Sequence, residues 1–299
     1  MNYSVIIVTY NRLNLLKECI SCVENQLIKF NNIVIVDNKS TDGTTEYLKK
    51  YTDKYHIIFE DSNGGGAKGF KDGVEYVHNN LKTDWVLLID DDAMLSANYL
   101  YEIDKFAKAN PNYKALSGSV TTEGVVDVTH RKRVESSKYF NLIPVDIKEY
   151  DKTSFDYNLS SFCGLFFQTS LISKIGFPKE EYFIWFDDTE YSLRIGRETK
   201  IANVNSAKLN HKTKINKGSV TLNWRGYYGI RNGGDVVKRY GTKDQFYRYK
   251  RRVKVAQYKN WILYILTLNG KYKYNANLYK DALQDLGNEI FGFNPKYHA

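Results

Sequence analysis

Apolar residues in the first third of the chain come in short continuous runs, and each run closes in a polar turn. Residues 3–10, 33–37, 57–59 and 86–89 form four such runs. An apolar run of this length bounded by turn residues reads as a strand buried on both faces, the pattern of a parallel sheet. Between the runs the rhythm changes, and Leu13, Leu15, Leu16, Cys19, Ile20 and Val23 recur at helical spacing. Strand, polar turn and helix in repetition predict an α/β protein with a doubly wound parallel sheet. Ligands of such sheets sit beyond the carboxyl ends of the strands. Those ends carry Thr9 and Arg12, then Asp37 and Asn38, and finally the triplet Asp90, Asp91 and Asp92.

From residue 111 to 155 the rhythm weakens into polar stretches with β-prone pieces such as 124–128, where an insertion into the sheet pattern is expected. A small-then-aromatic segment follows at 160–167, a turn at 176–178, and a second acid pair, Asp187 and Asp188, opens a helical pattern. Residues 201–204 read as a short edge strand, and residues 207–211 end in His211. The pattern divides the chain into an α/β domain over 1–215 and a mainly helical, basic region over 216–299.

Composition narrows the class. A chain of 299 residues with 42% hydrophobic and 26% charged residues is globular and large enough for one full core, which excludes a disordered chain. Three cysteines, Cys19, Cys22 and Cys163, are too few for a disulfide framework. No second Cys/His pair completes a zinc site with the first two, so buried thiols are expected. The chain opens directly on a strand without the marks of a signal peptide, and no apolar run approaches the ~18 residues of a membrane span. A cytoplasmic location is therefore expected.

The net charge of +9 is unevenly placed: after residue 244, ten Lys/Arg face only three acids. There Arg248, Arg251 and Arg252 interleave with Tyr247, Tyr249, Tyr258 and Trp261. Basic charge beside interfacial aromatics suits a helix on the inner face of an anionic membrane. The same amphipathic text also suits packing on the α/β domain or a second subunit. Nucleic acid is not expected, since no RRM, KH or zinc-finger signature accompanies the charge.

The acidic clusters carry the candidate chemistry. Three adjacent carboxylates repel one another, and a hard divalent cation such as Mg²⁺ or Mn²⁺ would neutralise them; an acidic turn capping a following helix is the alternative. The glycines of residues 63–70 let backbone N–H groups approach a diphosphate, or form a plain surface turn. They match neither of the phosphate-loop fingerprints of ATPases and dinucleotide enzymes. Asp188 is a candidate general base, because a carboxylate at the start of a helix can take the proton of an attacking hydroxyl. Against this, Asp187 is a candidate helix cap, and Glu190 with Arg194 a candidate surface pair. A lone His211 reads first as an ordinary polar residue.

Taken together, Val8-Thr9-Tyr10-Asn11-Arg12, the stretch 36–44, the loop 63–70 and Asp90-Asp91-Asp92 resemble the family 2 glycosyltransferases, over roughly residues 3–235. The resemblance implies the GT-A fold and inverting transfer from a nucleotide sugar. It places Thr9, Arg12, Asp37, Asn38, Asn63, Gly65, Gly66 and Asp91 at the nucleotide sugar, with Asp90 and Asp92 as the metal-binding DXD element. The acid pair followed by His211 resembles the galactofuranosyltransferases, which makes Asp188 the base and His211 a third ligand to Mn²⁺ or Mg²⁺. Phe162, Trp185 and Asp187 then face the acceptor.

Two positions depart from that subgroup: Phe186 stands where it usually has Trp, and Lys68 where its loop continues with Gly. Rhamnosyltransferases share most of the motifs, including the segment 224–232 with its tyrosine pair and Arg231-Asn232. Read without the family, that segment is aromatic packing between domain and tail. The expectation is transfer of a hexose, galactofuranose from its UDP donor first, to a surface polysaccharide or lipid-linked glycan precursor. The alternatives are rhamnose from dTDP-rhamnose, or a catalytically silent nucleotide-sugar-binding scaffold.

Overall fold

The computed structural model describes residues 1–213 and 222–298. Where the apolar runs lie, four parallel strands form: β1 (Tyr3–Thr9), β2 (Asn32–Asp37), β3 (His56–Phe59) and β4 (Trp85–Asp90). Helices α1 (Leu13–Glu24), α2 (Thr44–Leu48) and α3 (Gly65–Asn80) connect them. Successive strand residues face opposite sides of a sheet. Val5 and Ile7 of β1 thus enter a core shared with Leu16, Cys19 and Ile20 of α1, and Ile6 and Val8 enter a second core with Phe70, Val74 and Val77 of α3. All three cysteines are free thiols, two of them buried.

The triplet at the end of β4 leads into another strand, β5 (Ala93–Leu95), and α4 (Tyr99–Ala109) begins only later, so these acids cap no helix. After α4 come β6 (Ala115–Thr122), β7 (Val125–Val126), β8 (Arg131–Ser136), β9 (Phe140–Pro144), β10 (Ser154–Tyr157), β11 (Leu159–Ser160) and β12 (Leu165–Gln168). Then follow α5 (Ile172–Ile175), α6 (Asp187–Ile195) and β13 (Ile201–His211). The main sheet runs β10-β13-β6-β12-β4-β1-β2-β3, with β5 paired to β13 and β7 to β6. It is parallel only in part, because β12 lies antiparallel to both β4 and β6. In the stretch of weak pattern, β11, β8 and β9 form a separate three-stranded sheet.

The reading of 201–204 as an edge strand is corrected. β13 has 11 residues and lies inside the sheet, between β10 and β6. Its asparagines look like a polar break, yet they are buried and paired. Asn203 Oδ1 accepts from Ser117 Oγ at 2.9 Å and Arg131 Nε at 3.1 Å, and its amide donates to Asn205 Oδ1 at 2.7 Å.

The C-terminal region consists of α7 (Arg225–Tyr240), α8 (Lys243–Thr267) and α9 (Gly270–Gly287). A reciprocal Thr242–Gln245 capping box starts α8. The chain then turns back onto α7, where buried Tyr297 stacks on Tyr227 with ring centroids 4.5 Å apart. The expected boundary at 215/216 lies outside the described residues.

Candidate active site

At the carboxyl ends of β1 and β4, where the strand order reverses, the structure opens a cleft of about 750 Å³. That is the size of a site for a nucleotide-sized ligand, at the place an open α/β sheet offers one. Thr9, Arg12, Asn38, Asn63, Gly65, Gly66, Asp90 and Asp91, all singled out in the sequence, line it. The opposite wall was not legible from the sequence: Phe183, Ile184, Trp224, Arg225, Phe293 and His298 form it.

Hydrogen bonds fix the floor of the cleft. Thr9 Oγ1 donates to Asp91 Oδ2 at 2.7 Å, and Arg12 Nη1 donates to Asp91 Oδ1 at 3.2 Å and to Asp92 Oδ2 at 2.7 Å. One guanidinium offsets only part of three carboxylates. Burial, then the charge of Asp92, pushes the Asp90 carboxyl up to about 7, and burial pushes Asp91 up to about 6. Burial also raises Asp92, but His211 and Arg12 outweigh it and hold that carboxyl below its ordinary value.

The glycine stretch is the first turn of α3, so it is neither a free surface turn nor a detached loop. Gly65 adopts φ +78°, and a Cβ there would stand 2.0 Å from the carbonyl oxygen of Phe183, so only glycine fits. Asn63 Oδ1 accepts from Gly65 N at 2.9 Å, and Asn38 Nδ2 donates to Gly65 O at 3.2 Å. Asn38 Oδ1 is buried without a hydrogen-bond partner. Lys68 leans away from the cleft and pairs with Glu60 and Asp72. Asp37 does not line the cleft: it is buried, and its carboxylate accepts from Ser40 N at 3.0 Å and from Thr45 Oγ1, which holds the turn after β2.

Of the expected metal ligands, the structure brings two together. His211 Nε2 lies 3.1 Å from Asp92 Oδ1, and that oxygen and His211 Nδ1 are buried without hydrogen-bond partners. Two donors on one edge of an octahedron with metal–ligand distances near 2.1 Å are separated by about 3.0 Å. The pair therefore fits as two adjacent ligands of a divalent-cation site. Asp90 faces the cleft beside it, but among the described residues no three His, Cys, Asp or Glu side chains converge on one point. A hard cation commonly takes one or two carboxylates and completes its shell with substrate phosphates.

The second acid pair opens α6. Asp187 is buried, and Asp188 Oδ1 accepts from Thr189 N at 2.6 Å and Thr189 Oγ1 at 3.1 Å. Neither side chain caps the helix, whose N-cap is Phe186. Burial raises both carboxyl pKa values; the Asp188 charge and, more weakly, that of Asp90 raise Asp187 further, while Lys132 draws Asp188 down. The two acidic clusters are thus close enough to feel each other's charge. Glu190 and Arg194 are no surface pair, since Glu190 is buried, bonds Arg194 Nη2 at 2.8 Å and accepts from Tyr240 Oη at 2.8 Å.

Just before the acid pair the backbone is strained. Phe183, Trp185 and Phe186 have φ of 65°, 65° and 70°, a region that costs side chains roughly 1–3 kcal/mol each. What holds them is the segment 224–232. Asn232 Nδ2 donates to the carbonyls of Tyr182, Ile184 and Trp185 at 2.9, 3.1 and 2.9 Å, and buried Arg231 adds a bond to Tyr182 O at 3.3 Å. Gly233 permits the close approach, for a Cβ there would lie 2.9 Å from the Phe186 ring. Tyr227 and Tyr228 do pack as aromatic residues, Tyr228 against Phe183 at 5.0 Å. Of the expected acceptor residues, Trp185 is 46% exposed, whereas Phe162 is 3% exposed and packs on Phe70 in the core, which corrects its assignment.

The family model described as "Glycosyl transferase family 2" matches residues 4–171, more than half of the chain. The poly(ribitol-phosphate) beta-glucosyltransferase of Bacillus spizizenii is 28% identical over 37% of this chain, a match spanning only 18% of that enzyme. The low-salt glycan biosynthesis hexosyltransferase Agl10 of Haloferax volcanii is 22% identical over 77% of this chain and 73% of its own length. Among solved structures, S. aureus TarS 1-349 in complex with UDP-GlcNAc aligns with a TM-score of 0.57 at 17% identity, covering 97% of this chain and 82% of that one. GalNAc-T7 with UDP, GalNAc and Mn²⁺ aligns at 0.64 and 14% identity, over 97% of this chain and 56% of that one. At such identities the structural likeness is one of fold.

Proposed function

This chain belongs to glycosyl transferase family 2, and from that premise we propose that it transfers a hexose from a nucleoside-diphosphate donor to a glycan or lipid-linked glycan acceptor, with inversion. The observation that carries the reading is the cleft at β1 and β4, where eight motif residues converge within electrostatic reach of the acid pair that opens α6. Asn38, with its unpartnered buried oxygen, and Asn63 offer polar contacts to the nucleoside, and Arg12 offers charge to the diphosphate. Asp92 and His211, with Asp90 beside them on the cleft, would contribute to holding a divalent cation, Mn²⁺ or Mg²⁺, which when bound offsets the charge of the departing diphosphate.

Asp188 is the base. As the acceptor oxygen bonds to the anomeric carbon, its proton passes to the Asp188 carboxylate; the bond from that carbon to the diphosphate oxygen breaks, and the electron pair leaves with the diphosphate. Attack from the face opposite the leaving group inverts the centre in one step. Burial and the charge of Asp188 both raise the Asp187 carboxyl, which favours its neutral form beside an ionised Asp188.

The named relatives are a glucosyltransferase and a hexosyltransferase, and a structural neighbour binds UDP-GlcNAc. They support a UDP-hexose or UDP-N-acetylhexosamine donor and do not support the galactofuranosyl choice, which stays one arm of the test. The experiment is release of nucleotide from UDP-glucose, UDP-GlcNAc, UDP-galactose, UDP-galactofuranose and dTDP-rhamnose, each with Mn²⁺. Turnover of one donor well above the rest is expected. Saturable UDP binding without release from any donor or acceptor mixture would instead assign a silent nucleotide-sugar-binding scaffold.

A further inference from the structure

Residues 245–280 hold nine Lys/Arg and no Asp or Glu, so the chain's entire formal charge of +9 resides in this segment. It forms most of α8 and the first half of α9, a helical hairpin joined at Leu268 and Asn269. Near the tip, Ile262, Ile265, Leu266 and Leu268 are 57%, 68%, 74% and 78% exposed, and Val255 and Tyr258 extend the same face. At helical spacing, positions 255, 258, 262, 265 and 266 fall in one stripe about 100° wide, the width of a face made to be covered. Lys254 and Lys259, both exposed, flank the stripe on either side.

We propose that this hairpin tip is a contact for an anionic lipid surface. Charge complementarity selects the occupant. A second copy would bring the same cations face to face, and a nucleic acid would pair with the cations but leave the isoleucines and leucines uncovered. An anionic membrane satisfies both halves of the surface, phosphates for the lysines and acyl chains for the stripe. Among the described residues no helix is long and apolar enough to cross a bilayer, so the contact is superficial and reversible. The inference rests on charge and exposure in the hairpin and does not depend on the glycosyltransferase reading.

The test is co-sedimentation of the full chain with phosphatidylcholine vesicles and with vesicles containing phosphatidylglycerol, at low and high salt. Two variants accompany it, Ile265→Ser with Leu266→Ser, and Arg251→Glu with Lys254→Glu and Lys259→Glu. Circular dichroism and thermal melts check that both remain folded. Binding is expected on the anionic vesicles only, falling with salt, roughly a hundredfold weaker after charge reversal, and lost or much reduced in the tip variant. Equal recovery on both vesicle types, no recovery on either, or binding unchanged in both variants would overturn the proposal. So would a concentration-dependent dimer abolished by the tip variant, which assigns the face to a second copy. Salt-sensitive retention of single-stranded RNA that the tip variant leaves intact, without vesicle binding, would assign it to nucleic acid.

Discussion

Asp187 and Asp188 show how burial sorts two adjacent carboxyls into different tasks. Burial raises both pKa values, and a base works only when ionised, so turnover should fall as pH drops through a value above the ordinary carboxylate range. A kcat–pH profile under donor saturation checks this, and an acid limb below about pH 4 would contradict it. The same shift bears on stability with the opposite sense. A carboxyl whose folded pKa is raised is protonated in the folded chain over a window where the unfolded chain has already ionised, so stability is lost as pH rises through that window. Asp187→Asn removes this loss and should raise the Tm by a few degrees at pH 8, with the gain shrinking toward pH 4. Asp92 and His211 make a separate prediction. Asp92→Ala and His211→Ala should each weaken the Mn²⁺-dependent part of UDP binding in calorimetry, Asp92 more because it also removes charge. Unchanged metal dependence in His211→Ala would reduce that residue to a structural role.

On the scale of elements, the loop before α6 is held in place by α7. The three carbonyls that Asn232 serves belong to the residues around Phe183 and Trp185, two of the left-handed positions, and Phe183 O in turn accepts from Ala67 N at 3.2 Å in the glycine turn. Asn232 is thus a positioning residue that ties the donor turn to the acid pair. Asn232→Asp keeps the shape but loses the donors, and should lower kcat about a hundredfold, the cost of a displacement near 1 Å, with a smaller change in donor KM. Loss of stability with kcat unchanged would make the residue structural only. This role was not legible in the sequence, where Arg231 and Asn232 stand 47 to 50 residues from the carbonyls they hold. The strands β1, β2 and β4 were legible because burial on both faces leaves an uninterrupted apolar run. β13 was misread for the converse reason: Asn203 and Asn205 satisfy one another and their neighbours inside the sheet, and their polarity mimics a break.

Across the whole molecule, the cleft is built from both ends of the chain. Its floor comes from motifs before Asp92 and was readable residue by residue, while its far wall includes Phe293 and His298, which no local pattern links to Thr9. Tyr297 anchors that last segment. It is fully buried, stacks on Tyr227, donates to Asp281 Oδ2 at 2.8 Å, and its carbonyl accepts from Tyr228 Oη at 3.0 Å. Tyr297→Ala should cost about 3–5 kcal/mol by analogy with other buried aromatic truncations, and weaken UDP binding as the wall loosens. Thermal melts with and without UDP read both effects, and an unchanged Tm would detach the terminus from the fold's stability. The central claim is that this cleft holds a nucleotide sugar for Asp188 to act on. Its most direct test is Asp188→Asn, with UDP affinity by calorimetry and turnover of the selected donor measured on the same preparation. Near wild-type affinity with turnover reduced roughly 10²–10⁴-fold is expected; wild-type turnover in that variant would rule out Asp188 as the base.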